Sequence, residues 1–343
     1  MTSRLAIVGA GLVGVRHIEA IKSADNVALA AIVDTSDSAK QIATDNQVGF
    51  YSSLDELFSK DKPDGVLLST PTTLHLEQGL QCISAGCPVL IEKPITVTSA
   101  QAQTLVTSAE KSSVPVLVGH HRRHNPLIQK AHELIVDGAI GRIRSAQGIC
   151  WLYKPDDYFE IAPWRKLEGA GPISVNLVHD IDLMRYLMGD VVQVQATATK
   201  SIRGFENEDV AAAVLLFESG AIATITVSDA IASPWSWELT AGENPAYPQT
   251  QESCLVIGGS EGSLSIPDLK VWSHAQPNSW WSPISAQSCP RQYSDPLINQ
   301  MIHFGEVITG RESPLVSGVE GMKSLRVIEA IQDAAKDNVT IKL

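Results

Sequence analysis

Cysteine is scarce in this chain, and the few that occur show no pairing pattern. There are five (82, 87, 150, 254 and 289), an odd number with no C-x-x-C spacing. That excludes a disulfide scaffold and fits reduced, mostly buried thiols in a cytoplasmic protein. Long apolar runs are missing too, since none approaches the ~18 residues that a membrane-spanning helix requires. The opening MTSRLAIVGAGLVG lacks the basic, apolar and small-residue succession of a secretion signal, again the expectation for the cytoplasm. Positive charge is in deficit, 26 Lys and Arg against 38 Asp and Glu, for a net charge of −12. This argues against non-specific binding to nucleic acid or to anionic membranes. No internal repeat and no low-complexity tract occurs. What remains is 44% apolar and 19% charged, an ordinary soluble globular composition. The 343 residues exceed what one hydrophobic core usually supports, so two domains are expected.

The two halves follow different patterns. Over residues 1–120, short β-branched runs alternate with helical stretches: RLAIVGAG, VALAAIVD, DGVLLST, CPVLIEKP and VPVLVGHH read as strands. Between them LVGVRHIEAIKSA, SLDELFS (with Ser52 or Ser53 at its start), TLHLEQGLQCISAG and TSAQAQTLVTSAEKSS read as helices. Continuous apolar strands separated by helices predict a parallel sheet covered on both faces. Within 121–343 the runs VVQVQATATK, DVAAAVLLFESGAIATITVSDA and SCLVIGGSEGSLSI are joined by tight turns such as Glu218-Ser219-Gly220, which predicts hairpins and a mainly antiparallel sheet. All seven tryptophans (151, 164, 235, 237, 272, 280, 281) fall in this half, where sheet packing and an oligomer interface are the first expectation and a ligand cleft the second. Two proline-bearing segments, AGENPAYPQTQ and SHAQPNSWWSPISAQSCP, read as surface or interface loops. Helical spacing of Leu325, Ile328 and Ile331 predicts a closing helix.

Gly9-Ala10-Gly11-Leu12-Val13-Gly14 matches G-x-G-x-x-G between a predicted strand and a predicted helix, and Asp34 ends the next strand 20 residues after Gly14. The three contextual requirements of a dinucleotide site are thereby met. Gly9 permits the tight turn, Gly11 lets backbone N–H groups approach a pyrophosphate, and Gly14 lets the helix pack close to the strand. The helix N-terminus favours phosphate charge. Asp34 would accept from both ribose hydroxyls and repel a 2′-phosphate. No arginine follows it in DTSDSAK, so NAD is preferred over NADP, with Lys40 the only nearby cation.

In such a fold the C-terminal ends of strands face the cofactor crevice. That places Thr70-Pro71-Thr72, Glu92-Lys93-Pro94 and the segment from His120 at the reaction centre, with Pro94 fixing the chain direction beyond Lys93. GAGLVG, STPTTLH, AGCPVLIEKP, GHHRRHNP and GAGPISVNLVHDIDLMRYLMG occur in the order and spacing of the Gfo/Idh/MocA family. The resemblance runs along nearly the whole chain. It implies a Rossmann domain followed by an open, mainly antiparallel sheet domain. It also implies NAD(P)-dependent oxidation or reduction of sugars, cyclitols and related alcohols by dimers or tetramers, here associating through the C-terminal sheet.

By this resemblance Lys93 corresponds to the family's catalytic lysine and Glu92 to a cofactor contact. Thr70, Pro71, Thr72 and His75 resemble the segment near the nicotinamide and its ribose, and Arg123 the arginine near cofactor and substrate. His179 and Asp182 match its H-x-x-D element. The pattern often has an aspartate four residues before the histidine. Here that position is Val175, with Asn176 beside it, so an inositol-type substrate does not follow from the resemblance.

Hydride transfer needs a base for the alcohol proton and a donor for the developing alkoxide. His179, with an ordinary pKa of ~6.5, suits the first task near neutral pH, and Lys93, at ~10.4, the second as a charged donor. The reverse assignment is also open. WLYKPDDYFEIAPWR is expected to line the substrate cleft, with Tyr158, Trp164, Arg165 and Asn176 among its contacts. Arg165 together with Arg123 would suit a carboxylated substrate. His120, His121, His124 and His132 lack the helix pair plus third ligand of a metal site, and Asp156-Asp157 read as a solvated loop. The leading expectation is an NAD-dependent sugar or polyol dehydrogenase. A redox-cycling glycosidase of the same fold, which would not accumulate NADH, and a non-catalytic ligand-sensing regulator are the alternatives.

Overall fold

The apolar β-branched runs of the first hundred residues form strands for the reason their sequence suggests: both faces are buried. In the computed structural model, which describes residues 2–276 and 278–343, Leu5, Ala6 and Ile7 are all fully buried, as are Val66, Leu67, Leu68, Val89, Leu90 and Ile91. They lie in β1 (Ser3–Val8), β4 (Gly65–Leu68) and β5 (Val89–Ile91). With β2 (Val27–Val33), β3 (Gly49–Tyr51) and β6 (Val116–Val118) these make a parallel sheet of order β3-β2-β1-β4-β5-β6. Alternate residues feed two apolar layers. Ala6, Val8, Val66 and Leu68 pack with Leu105 and Ile83, whereas Leu5, Ile7, Leu67 and Leu90 pack with Ile21, Met301 and Phe304.

The chain divides into two compact units, Met1–His124 with Ser294–Leu325, and Asn125–Tyr293 with Arg326–Leu343. The first therefore takes up a late segment containing the helix Pro296–Ile308, whose Met301 and Phe304 complete one of its layers. One helix start in this unit carries the cap its sequence suggests. Ser53 Oγ accepts from Glu56 N–H, while the Glu56 carboxylate accepts from Ser52, a reciprocal arrangement that fixes the start of Leu54–Lys60.

The second unit is built on β7 (Ile143–Trp151), β8 (Val191–Lys200), β9 (Glu208–Phe217), β10 (Ile222–Ser228), β11 (Leu255–Gly259), β12 (Ser263–Ile266), β13 (Lys270–His274), β14 (Ile284–Ser288) and β15 (Ile341–Lys342). Their order is β14-β13-β12-β11-β7-β10-β9-β8-β15. Every neighbouring pair is antiparallel except β7–β10, which is parallel, so the sheet is mixed though mainly antiparallel. The β9–β10 hairpin turns where Gly220 takes φ +82°, the left-handed conformation that a tight turn here demands. One sheet face buries Ala211, Ala213, Leu215, Ala223 and Ile225 against Ile181, Met184 and Ile328. The opposite face carries Val214 and Ile222, 42% and 49% exposed.

One expectation is corrected. Asp156 and Asp157 do not form a loop; they are the exposed first turn of the helix Asp156–Ile161, where carboxylates complement the N-terminal dipole. The tryptophans divide between packing and surface. Trp237 is buried at 2% exposure, but Trp280 and Trp281 are over four-fifths exposed, and Trp164 is more than half exposed. Indole is too large to seal at a sheet margin without a covering layer. Pro277, in the second proline-bearing segment, lies outside the described residues, as does Met1. Among the described residues no helix is long and apolar enough to cross a membrane.

Candidate active site

In the first unit the site residues collect at the C-terminal strand ends, beside the switch point where the chain order reverses between β1 and β4. The glycine turn leads from β1 into the helix Leu12–Ser23. Gly9 has φ +89°, and a Cβ there would stand 3.0 Å from Ser69 and Thr70 backbone. A Cβ on Gly14 would lie 2.1 Å from the Gly9 carbonyl, so the helix packs on the turn with no room for any side chain. Gly11 is different: nothing lies within 4 Å of where its Cβ would be. It is the N-cap residue and makes no side-chain cap, and the next residues, Leu12 and Val13, are exposed. The first N–H groups of this helix thus border open space, a cradle that suits an anion at a helix N-terminus. The NAD pyrophosphate fits it.

Asp34, just past β2, accepts from Ala10 N–H at 2.9 Å and from Ser36 N–H at 2.9 Å. Partial burial raises its pKa, but these hydrogen bonds outweigh it and hold the carboxylate below its ordinary value. It stays an acceptor.

Behind Lys93 lies a set of ties. Glu92 Oε1 lies 2.6 Å from Nε2 of His17, a fully buried side chain of the helix Leu12–Ser23, and Glu92 Oε2 accepts from Lys93 N–H at 3.1 Å. Burial alone would raise the Glu92 pKa, but the His17 hydrogen bond and the charges of Lys93 and His121 win and hold it well below the carboxylate range. His75 bridges Thr70 O at 2.9 Å and Pro94 O at 3.0 Å, joining the loops after β4 and β5. Ser69 Oγ donates to Gly9 O at 2.6 Å, and Thr70 Oγ1 donates to Gln78 at 2.6 Å. Thr70, Thr72 and Lys93 are partly exposed, and Pro71 exposed. Arg123 is buried at 2% exposure and pairs with Glu320 at 3.1 Å. His17 was not foreseen; an apolar helix face had hidden it.

The second unit brings Tyr158, Arg165, Asn176 and His179 into one neighbourhood. The Arg165 guanidinium lies 3.9 Å from the Tyr158 ring centroid and donates to Tyr158 O at 2.7 Å. Burial raises the Tyr158 pKa, so its hydroxyl keeps its proton. Asn176 ends the short helix Pro172–Val175 and starts Leu177–Met188, which places His179 one turn on. That entry is fixed by Glu208, which accepts from Ile173 N–H and lies 2.3 Å from where a Gly171 Cβ would be. His179 is buried at 9% exposure and Asp182, a further turn on, at 1%. Trp164 stays on the surface. Lys154, Asp229 and Arg203 were missed. The Lys154 ammonium donates to Asn176 Oδ1 at 2.7 Å and to Asp229 at 3.2 Å, and Asp229 also accepts from Arg203 at 3.0 Å. A lysine inside WLYKP, at the end of an apolar strand, was the signal. Among the described residues no cluster of three or more His, Cys, Asp or Glu is disposed to hold a metal ion.

Residues 3–120 match the family model described as oxidoreductase family, NAD-binding Rossmann fold, and residues 128–265 match the GFO/IDH/MocA C-terminal domain. The chain belongs to the Gfo/Idh/MocA family. Within it, similar curated proteins include the D-apiose dehydrogenase of Paraburkholderia graminis, 25% identical over 98% of this chain and 89% of that protein. The 1,5-anhydro-D-fructose reductase of Ensifer adhaerens is 26% identical over 97% and 96%. Among solved structures, the WlbA dehydrogenase from Bordetella pertussis in complex with NADH and UDP-GlcNAcA is 26% identical, with a TM-score of 0.81 over 100% of this chain and 99% of that one.

Proposed function

We propose that this member of the family is an NAD-dependent dehydrogenase or reductase acting on a secondary alcohol or ketone of a sugar, cyclitol, polyol or sugar acid. NAD, when bound, supplies the hydride acceptor or donor. The observation that carries the reading is the anchored Glu92-Lys93-Pro94 strand end beside an open glycine cradle. Glu92 is fixed by His17 and Pro94 by His75, so the Lys93 backbone is held from both sides. Lys93 then acts as the charged donor to the reacting oxygen and His179 as the base for the hydroxyl proton. Asp34, kept ionised by backbone donors, selects the ribose hydroxyls of NAD. Arg123, Tyr158, Trp164, Arg165, Asn176 and Asp182 are assigned to the substrate side. The relatives that act on apiose and anhydrofructose support a carbohydrate substrate. A second copy of the chain is the proposed cover for the exposed Val214 and Ile222 face.

The test is a panel of sugars, cyclitols and sugar acids followed by NADH absorbance. Net NADH accumulation with one of them is the expected result. Lys93→Ala should abolish turnover and leave NAD binding largely intact; intact turnover with lost NAD binding would refute the assignment.

A further inference from the structure

Asparagine is among the best helix N-caps because its side-chain oxygen can accept from the first-turn N–H groups. Asn176 stands at the N-cap of Leu177–Met188 and makes no such bond. Its Oδ1 is committed to Lys154 Nζ at 2.7 Å. An ammonium has donors only, so the amide cannot be turned the other way: oxygen must face the lysine and the NH2 group must face away. Nδ2 pairs with no acceptor among the described residues and is not sealed from solvent, although Asn176 as a whole is nine-tenths buried.

The lysine is itself held. Lys154 is 6% exposed, its ammonium reaches Asp229, and the same carboxylate is gripped by Arg203, which also donates to the Lys154 and Asp229 carbonyls. Lys154 N–H bonds Asp229 O, so side chain and backbone are registered together. An expensive buried cation is thus positioned against one amide oxygen.

We propose that Lys154 is a positioning residue that locks Asn176 with its N–H groups outward, and that Asn176, one turn before His179, is a hydrogen-bond donor to the substrate. The substrate atom it meets is an acceptor oxygen of the carbohydrate or polyol. This rests on the reading above for the class of ligand and for the placing of Asn176 on the substrate side.

The experiment uses full-length protein labelled with 15N at asparagine, saturated with NAD, with the Asn176 side-chain amide assigned by its loss in Asn176→Ala. D-glucose, myo-inositol and D-glucuronate are the titrated probes. The expected result is that at least one probe moves the Asn176 amide resonances, and that Lys154→Met moves them without any probe. Lys154→Met should also weaken that probe's Kd about tenfold, the worth of one hydrogen bond, with the NAD Kd unchanged. In the Asn176→Ala background Lys154→Met should cost no further probe affinity, whereas a merely structural lysine would add its effect. The proposal is overturned if no probe moves the amide, if Lys154→Met leaves it unmoved, or if the two substitutions add. NADH absorbance on the same samples tests the dehydrogenase reading separately: a probe that forms NADH without moving Asn176 supports that reading and refutes this one, and a probe that moves Asn176 supports this one whether or not NADH forms.

Discussion

Alanine at two glycines of the same turn, Gly11 and Gly14, should give opposite phenotypes. At Gly14 a Cβ would stand 2.1 Å from the Gly9 carbonyl oxygen, about 1 Å inside any tolerable contact, and 2.9 Å from the Ser69 hydroxyl. Relief requires the helix Leu12–Ser23 to lift off β1, an overpacking cost of about 2–3 kcal/mol. For a unit of this size that lowers Tm by about 4–10 °C. At Gly11 the Cβ meets nothing, and φ −73° with ψ −165° is open to any residue. The cost without cofactor is that of alanine at an N-cap, about 0.5–1 kcal/mol. With cofactor the methyl group occupies the approach to the N–H groups. Losing one charge-assisted hydrogen bond costs about 2 kcal/mol, a roughly thirtyfold rise in Kd. Thermal melts with NAD at about 100 times the wild-type Kd read this directly. Wild type gains about 2.7 kcal/mol, and Gly11→Ala should gain only about 0.9 kcal/mol. An unreduced NAD shift in Gly11→Ala, or a Gly14→Ala as stable as wild type, refutes the assignment of these two glycines.

Asp34→Ala should raise the NAD Kd about tenfold or more and narrow the NAD-over-NADP preference, measured by fluorescence titration of both cofactors; an unchanged preference contradicts the ribose role. Glu92 is depressed from an ordinary 4.5 to about 2, so its contribution to stability is complete above about pH 4.5 and is lost as pH falls through about 2. Glu92→Gln should accordingly flatten the dependence of stability on pH within that window in acid denaturation, and an unchanged slope sinks the idea. Asp229→Asn leaves Lys154 and Arg203 without their shared countercharge and should cost about 3–5 kcal/mol in urea unfolding. A loss below 1 kcal/mol would show that the carboxylate is not what holds them.

Five strands of the parallel sheet were legible because each contains an apolar run, whereas β3, three partly exposed residues at the sheet edge beginning with a glycine, left no such mark. The glycine turn was legible for a sharper reason: steric exclusion at Gly9 and Gly14 leaves one residue type, and that residue is visible in the sequence. Helix Asp156–Ile161 was not, since two adjacent aspartates carry the same local signal in a polar loop and in an exposed first turn. The return of Ser294–Leu325 to the first unit was equally hidden. Its apolar spacing predicts a helix but says nothing about which layer Met301 and Phe304 will complete, because long-range partner choice leaves no periodic mark.

The same division separates the residues proposed to present chemistry from those that orient their neighbours. Lys93 and His179 sit in motifs whose spacing marks them. Their supports do not: His17 lies on the buried face of an ordinary amphipathic helix, and Asp229 follows a strand as any turn residue might. Yet each unit uses a charged side chain, itself held by a buried partner, to fix a neighbouring group. In the first, Glu92 accepts from Lys93 N–H while His17 holds its other oxygen. In the second, Lys154 donates to Asn176 while Asp229 and Arg203 hold the lysine in place. Replacing such pairs by apolar side chains of equal volume is often neutral or favourable for stability. Stability alone therefore does not account for them, and orientation does: a carboxylate or ammonium fixes the direction of a hydrogen bond, which a methyl group cannot.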